Sequence, residues 1–214
     1  MKDYLLFIDT ETSGIPQRWK RPYSDKKNWP HVIQVAWIVY SANGTEIKRT
    51  SKYIYEEDID ITSASYQVHG ITRTFLKQHG DKRKVVLRKL AHDIQKYKPL
   101  IIGHFVELDV QVLSADYYRA NLPNPFIGHS FFCTMLDSEK YAANPSINYL
   151  RLPQLHEYLF DKLLTEIHEA EQDASATAKC FFELRNRHEI TPLDMERQQK
   201  MFSQKLNFLD KQNS

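Results

Sequence analysis

The stretch FIDTETSG (residues 7–14) sets Asp9 and Glu11 one residue apart at the end of an apolar run. On a strand, side chains at i and i+2 leave the same face, so these two carboxylates converge while Thr10 points away. Burying them is costly without compensation. The usual remedies for two acids a few ångströms apart are a shared proton or a hard divalent cation. Another acid, Asp109, follows the apolar run in IIGHFVELDVQVL and falls on the first turn of the next helix, where the helix dipole also favours a plain capping charge. The segment HEAEQDASATA carries His168 and then Asp173, which lies beside the apolar stripe of Ala174 and Ala178. Taken singly, these are a solvated strand end, a cap and a surface histidine. Taken in order, as strand end, helix start and C-terminal helix, they suit one shared crevice.

The elements that would hold these groups can be read from periodicity. Asp3–Thr10 is nearly continuous in apolar residues and predicts a central strand. VIQVAWIVY (residues 32–40) predicts a second strand, followed by the turn SANG and a third strand near Glu46–Tyr55, which makes a meander. Helical spacing over Lys82–Tyr97 ends before Pro99, and LIIG (residues 100–103) is a short buried strand. A helix is expected over Glu107–Arg119, a last short strand at Phe126–Ile127, and helices near Thr134–Ala142 and Leu152–Phe160. A long helix carries Ala174, Thr177, Ala178, Phe181 and Leu184 on one stripe. Strands first, then helix and strand in alternation, give an α/β fold with a mixed sheet flanked by helices.

Composition narrows the class. The 214 residues suit one sizeable domain, and a formal net charge of +2 names no partner, so electrostatics must act locally. With 42% hydrophobic and 26% charged residues the chain is expected to be globular. Cys133 and Cys180 cannot build a disulfide framework and have no CxxC neighbour, so they read as buried thiols of a reducing compartment. No run approaches a membrane span or signal peptide, which leads us to expect a cytoplasmic protein. Neither GxSxG, HExxH nor a Walker-type glycine-rich loop occurs.

On these motifs the sequence resembles the DEDDh-type 3′–5′ exonucleases, the family that contains the proofreading (epsilon) subunit of bacterial DNA polymerase III. The first motif is matched by Asp9 and Glu11, the second by Asp109 in GHFVELD, and the third by His168 and Asp173 in HEAEQD. YQVHGIT (residues 66–72) resembles the family's segment before its first helix, FFCTM the one after the second motif, and LRLPQLHEYLF the helix before the third. The resemblance implies a ribonuclease H-like fold over residues 1–190, followed by a tail at 191–214 that we expect to be helical. It implies two Mg²⁺ or Mn²⁺ ions held by Asp9, Glu11, Asp109 and Asp173, with His168 as general base. It further implies a wall for the terminal nucleotide made of Thr10, Thr12, Ser13, Val68, His69 and Leu108. The chain departs from the family at Phe105 and Leu108, where Asn and Phe are usual.

The implied substrate is a single-stranded DNA or RNA 3′ end, with DNA favoured, and the products are 5′-mononucleotides. An RNA-trimming, oligoribonuclease-like enzyme and a catalytically silent nucleic-acid-binding module are the rival readings. The loop IPQRWKRPYSDKKNWPH (residues 15–31) interleaves Arg18, Lys20, Arg21, Lys26 and Lys27 with Trp19, Tyr23 and Trp29. It reads equally as a single-strand track or as a basic loop whose aromatics pack back on the domain. The stretch Lys82, Arg83, Lys84, Arg88 and Lys89 reads as the solvated face of a helix. Met195, Phe202, Leu206 and Leu209 in the tail suit a helix docked on its own domain better than one binding a partner, for which analogy would suggest a polymerase subunit.

Overall fold

The computed structural model describes residues 2–142, 148–164 and 169–206. Five strands form one sheet: β1 (Tyr4–Thr12), β2 (Val32–Ser41), β3 (Glu46–Tyr53), β4 (Leu100–Gly103) and β5 (Ser130–Cys133), in the order β3-β2-β1-β4-β5. The first three make an antiparallel meander, while β4 runs parallel to β1 and to β5. The helices are α1 (Ser63–His69), α2 (Arg73–His79), α3 (Arg83–Tyr97), α4 (Val106–Arg119), α5 (Thr134–Asp137, continued by a 3₁₀ turn over Ser138–Tyr141), α6 (Leu152–Phe160), α7 (Ala170–Asn186) and α8 (Pro192–Lys205).

Strand β1 is apolar on both faces because both are covered. Leu6 and Ile8 join a core with Val86, Leu87, Leu90 and Ile94 of α3 and Val110 and Leu113 of α4. Leu5 and Phe7 join a second core with Leu155 of α6 and Ala178, Phe181 and Leu184 of α7. Alanines along α7 let its backbone lie close to the sheet. This alternation decides where the next residues go. Asp9 and Glu11 continue the parity of Leu5 and Phe7 toward α7, and Thr10 continues that of Leu6 and Ile8 toward α4.

Several expectations need correction. The last strand is Ser130–Cys133, not Phe126–Ile127. Phe126 is a core anchor inside a turn, its N–H held by Asn124 Oδ1 at 3.0 Å, and Gly128 reverses the chain at φ 78°. Tyr66–Thr72 does not precede the first helix but runs from α1 to the cap of α2: Thr62 and Thr72 cap the two helices and Gly70 ends the first in the left-handed region. Helix α1 buries no residue, so periodicity gave no sign of it. Arg83 leaves the solvated face and is buried, while Lys84, Arg88 and Lys89 stay exposed. In the loop after β1, Tyr23 and Trp29 are core residues, and only Trp19 keeps an exposed ring.

Helix α8 docks on its own domain. Phe202 and Leu206 enter the first core, with the Phe202 ring 5.9 Å from Phe131. Gln198 is buried and bonds both backbone groups of Cys133, accepting its N–H at 2.7 Å and donating to its carbonyl at 3.1 Å. A side chain thus takes the place of a neighbouring strand at the open edge of β5. Leu209 lies outside the described residues.

Candidate active site

Strand β1 ends in the site. Its pairing with β2 sets Asp9 opposite Ala36 and Glu11 opposite Gln34, with a bulge just beyond Glu11. Helix α7 starts alongside, with Glu169 as its N-cap accepting the Gln172 N–H at 3.0 Å, and Asp173 falls in its first turn. One carboxylate oxygen from each of Asp9, Glu11 and Asp173 lies within 4.8 Å of the others. Asp109 comes from the opposite face, on the first turn of α4 beyond the end of β4, and stands beside this trio. Its Oδ1 accepts from the Thr10 hydroxyl at 2.7 Å. Thr10 therefore points away from Asp9 and Glu11, as strand parity requires, yet not away from the site: it holds the acid that arrives from the other side. His168 lies outside the described residues.

Electrostatics make this cluster costly in the absence of a cation. Burial drives the Asp9 carboxyl well above its ordinary range, and Asp109, Asp173, Glu11 and Glu169 push it further. Glu11 is pushed up to about 8 by burial and by Asp173, Asp109 and Glu169. Asp109 is pushed up to about 7 by burial, which hydrogen bonds from Thr10 oppose. Among the described residues no lysine or arginine is salt-bridged to Asp9, Glu11 or Asp109. Among the described residues the donor set is all carboxylate, without the Cys and His that zinc prefers, and it fits a hard, oxygen-seeking divalent ion.

A cleft of about 940 Å³ opens beside Glu11. Thr10, Thr12, Ser13, Val68, His69 and Leu108 all line it, together with Lys26 and Lys27. The Ser13 hydroxyl accepts the His31 N–H at 2.9 Å, and the Ser13 N–H donates to the His31 carbonyl at 2.9 Å, so the loop of residues 14–30 closes on its own ends. His69 Nδ1 accepts from the Ile71 N–H at 3.0 Å. The far wall, Trp29 to His31, is pinned from beneath by buried charges. Asp116 accepts from Arg119 at 2.6 Å and from the Val32 N–H at 3.1 Å, and Arg119 also donates to the carbonyls of Pro30, at 2.8 Å, and Trp29. Arg83 lies 3.5 Å from Asp116 and donates to His31 Nδ1 at 2.8 Å.

Sequence reasoning missed this network and missed Glu169. Gln34 donates to Glu169 and also to Ser51, at 3.1 Å for the latter, tying β2 to the start of α7. One signal was available: Gln34 is the single polar residue within the apolar run VIQVAWIVY.

The exonuclease family model RNase_T matches residues 6–181, which takes in most of β1, all of α4 and most of α7. The chain belongs to this exonuclease family. It is the DEDDh-type family that the three motifs resemble. Exonuclease I of E. coli, solved with a dT13 oligonucleotide, superposes with a TM-score of 0.71 at 18% identity, covering 87% of this chain and 42% of that one. Exonuclease I of Methylocaldum szegediense superposes with a TM-score of 0.67 at 20% identity, over 86% and 40%. At such identities the likeness speaks for the fold, a ribonuclease H-like mixed sheet. The chain spans about two fifths of the length of these exonuclease I structures. No curated protein matches it. No helix among the described residues is long and apolar enough to cross a membrane.

Proposed function

We propose that this chain is a 3′–5′ exonuclease that shortens single-stranded nucleic acid, with DNA favoured, to 5′-mononucleotides. The observation that carries the reading is the convergence of Asp9, Glu11 and Asp173 within 4.8 Å, with Glu11 also lining a cleft of about 940 Å³. Asp9, Glu11, Asp109 and Asp173 would hold two Mg²⁺ or Mn²⁺ ions. Bound there, such ions supply Lewis acidity at the scissile phosphate and lower the pKa of the attacking water. The Thr10 hydroxyl keeps Asp109 turned toward the cluster. Burial and mutual repulsion keep the carboxylates avid for positive charge. His168 takes the proton of the attacking water, a task suited to a side chain that is neutral near pH 7. Thr12, Ser13, Val68, His69 and Leu108 form the wall for the terminal nucleotide, and Lys26 and Lys27 supply positive charge to it.

DNA is favoured because the exonuclease I structures that share the fold were solved with dT13 and dA16 oligonucleotides. The polymerase subunit that analogy suggests as a partner would have to dock away from the apolar side of α8, which Phe202 and Leu206 commit to the domain's own core. The test is gel-resolved digestion of 5′-labelled DNA and RNA strands of one sequence in Mg²⁺, Mn²⁺ or EDTA, with Asp9→Ala as control. A metal-dependent ladder shortening from the 3′ end, lost in the variant, is the expected result. Binding of either strand with no cleavage in any metal would make the chain a silent binding module. Cleavage of RNA alone would make it an RNA-trimming enzyme.

A further inference from the structure

Phe105 is the N-cap of α4, with φ 82° and ψ 40° and no side-chain capping bond. A bulky aromatic in the left-handed region is a true outlier, and Asn or Asp would be the easier residue at such a position. Strain of this kind persists where the surroundings impose it and tends to mark a functional surface. The Phe105 ring does not contribute to the core: it is half-buried and belongs to neither hydrophobic cluster. Its neighbour is Trp19, with centroids 5.7 Å apart and planes at 60°. Trp19 is likewise outside both clusters and 36% exposed. Its edge meets Trp29, a wall residue of the cleft, at 6.5 Å. Asn28 fixes this corner by bonding both backbone groups of Arg18, at 2.8 and 3.0 Å. Arg18 and Lys20, on either side of Trp19, are exposed.

We infer that Trp19 and Phe105 form a stacking ledge for an unpaired base of the strand, lying just outside the cleft and next to the nucleotide seated in it. This rests on the proposed exonuclease reading and adds to it a site that the cleft does not contain. Every base has a π-face, so such a ledge holds a strand without reading its sequence, and the flanking cations meet its phosphates. The ledge lies one helical turn before Asp109, so a base held there fixes the strand relative to the acids.

The test is titration of the whole protein with a short single-stranded oligothymidylate in EDTA, followed by intrinsic tryptophan emission. Trp29 and Trp37 are 1% and 0% exposed, so Trp19 alone offers a ring face to a stacked base, and comparison with Trp19→Leu isolates its share of the quench from any change at Trp29. The parent should quench on binding. Trp19→Leu should lose the quench and bind about tenfold more weakly, while Trp19→Phe should recover most of the affinity without the quench. Phe105→Asn should melt at a higher temperature than the parent, because Asn tolerates the left-handed region and can cap α4, and yet bind more weakly. A folding defect cannot produce that pair of results. Thymidine 5′-monophosphate, having one base, should bind the parent and Trp19→Leu alike. If Trp19→Leu binds the oligonucleotide within about twofold of the parent, or keeps the quench, the ledge is overturned. The two readings fail separately: a parent that cleaves while Trp19→Leu binds normally refutes only the ledge, and one that binds and quenches without cleaving refutes only the exonuclease.

Discussion

Two groups of charges, buried or half-buried, flank the cleft, and they are built on opposite principles. On one side Asp9, Glu11 and Asp173 meet with Asp109 beside them, and burial and repulsion raise the proton affinity of Asp9, Glu11 and Asp109. On the other side Asp116, fully buried, is matched by Arg119 at 2.6 Å and Arg83 at 3.5 Å. The matched group finds its opposite charges within the chain, and further guanidinium donors go to the carbonyls of Trp29 and Pro30 and to His31. Among the described residues no lysine or arginine pairs with Asp9, Glu11 or Asp109, so their mutual repulsion favours protons or added cations there. Buried charge is therefore not one kind of feature in this fold. Where an acid meets arginines it builds a wall, and where acids meet one another it builds the candidate site.

The sharpest way to break this contrast is to neutralise one acid on each side. Asp9→Asn should lower the rate of strand shortening by on the order of 10³-fold, since positioned divalent ions are worth several kcal/mol of transition-state stabilisation. The same variant should melt at a higher temperature than the parent in EDTA near pH 8, because one of the repelling charges is gone. Asp116→Ala should do the reverse to stability. It strands Arg119 and Arg83 in a buried setting, which costs about 3–5 kcal/mol and lowers Tm by roughly 10 °C. Calorimetry of the two variants settles the point, and a fall in Tm for both would mean that the acid cluster is structural.

A smaller effect separates the groups by pH. In the folded chain Glu11 is raised from 4.5 to about 8 and Asp109 from 3.8 to about 7. Groups with raised folded values stabilise the protein fully below their unfolded values, and that contribution is lost as pH rises through the folded ones. In EDTA, Tm should therefore decline between about pH 5 and pH 8. Added Mg²⁺ should raise Tm more at pH 8 than at pH 5, because the ion binds the ionised form. A Tm that is flat over this range in EDTA would argue against the acids being close together.

The carboxylate side was far easier to read in the sequence than the paired side. Strand parity put Asp9 and Glu11 together, the alanine stripe of α7 turned Asp173 toward the sheet, and the end of the LIIG strand marked Asp109. All of this is local pattern. The paired side is not local: Asp116 meets Val32 across 84 residues and Arg119 meets Trp29 across 90. In sequence, Asp116 and Arg119 are an ordinary i, i+3 pair on a helix, of the kind usually found at the surface. Arg83 stands among four exposed basic residues and shared their reading. The aromatics of residues 15–31 divided for the same reason: local pattern does not distinguish Trp29, which is buried against Tyr23 at 5.4 Å, from the half-exposed Trp19. Helix α1 buries nothing and left no period to find.

The finest probe of the paired side keeps its charge and changes only its shape. Arg119 reaches Asp116 and two carbonyls through a planar fork, and a lysine at that position has a single ammonium group on a flexible stem. Arg119→Lys retains the ion pair with Asp116 and should release at least one carbonyl of Trp29 or Pro30, at a cost of about 1–2 kcal/mol, well below that of Asp116→Ala. Because Trp29, Pro30 and His31 line the cleft, the loss should also appear as a raised KM for a single-stranded substrate. If Tm falls and KM does not move, the network only stabilises the fold. If both move together, the paired charges hold the wall against which the strand is placed, and the two sides of the cleft serve one reaction by opposite means.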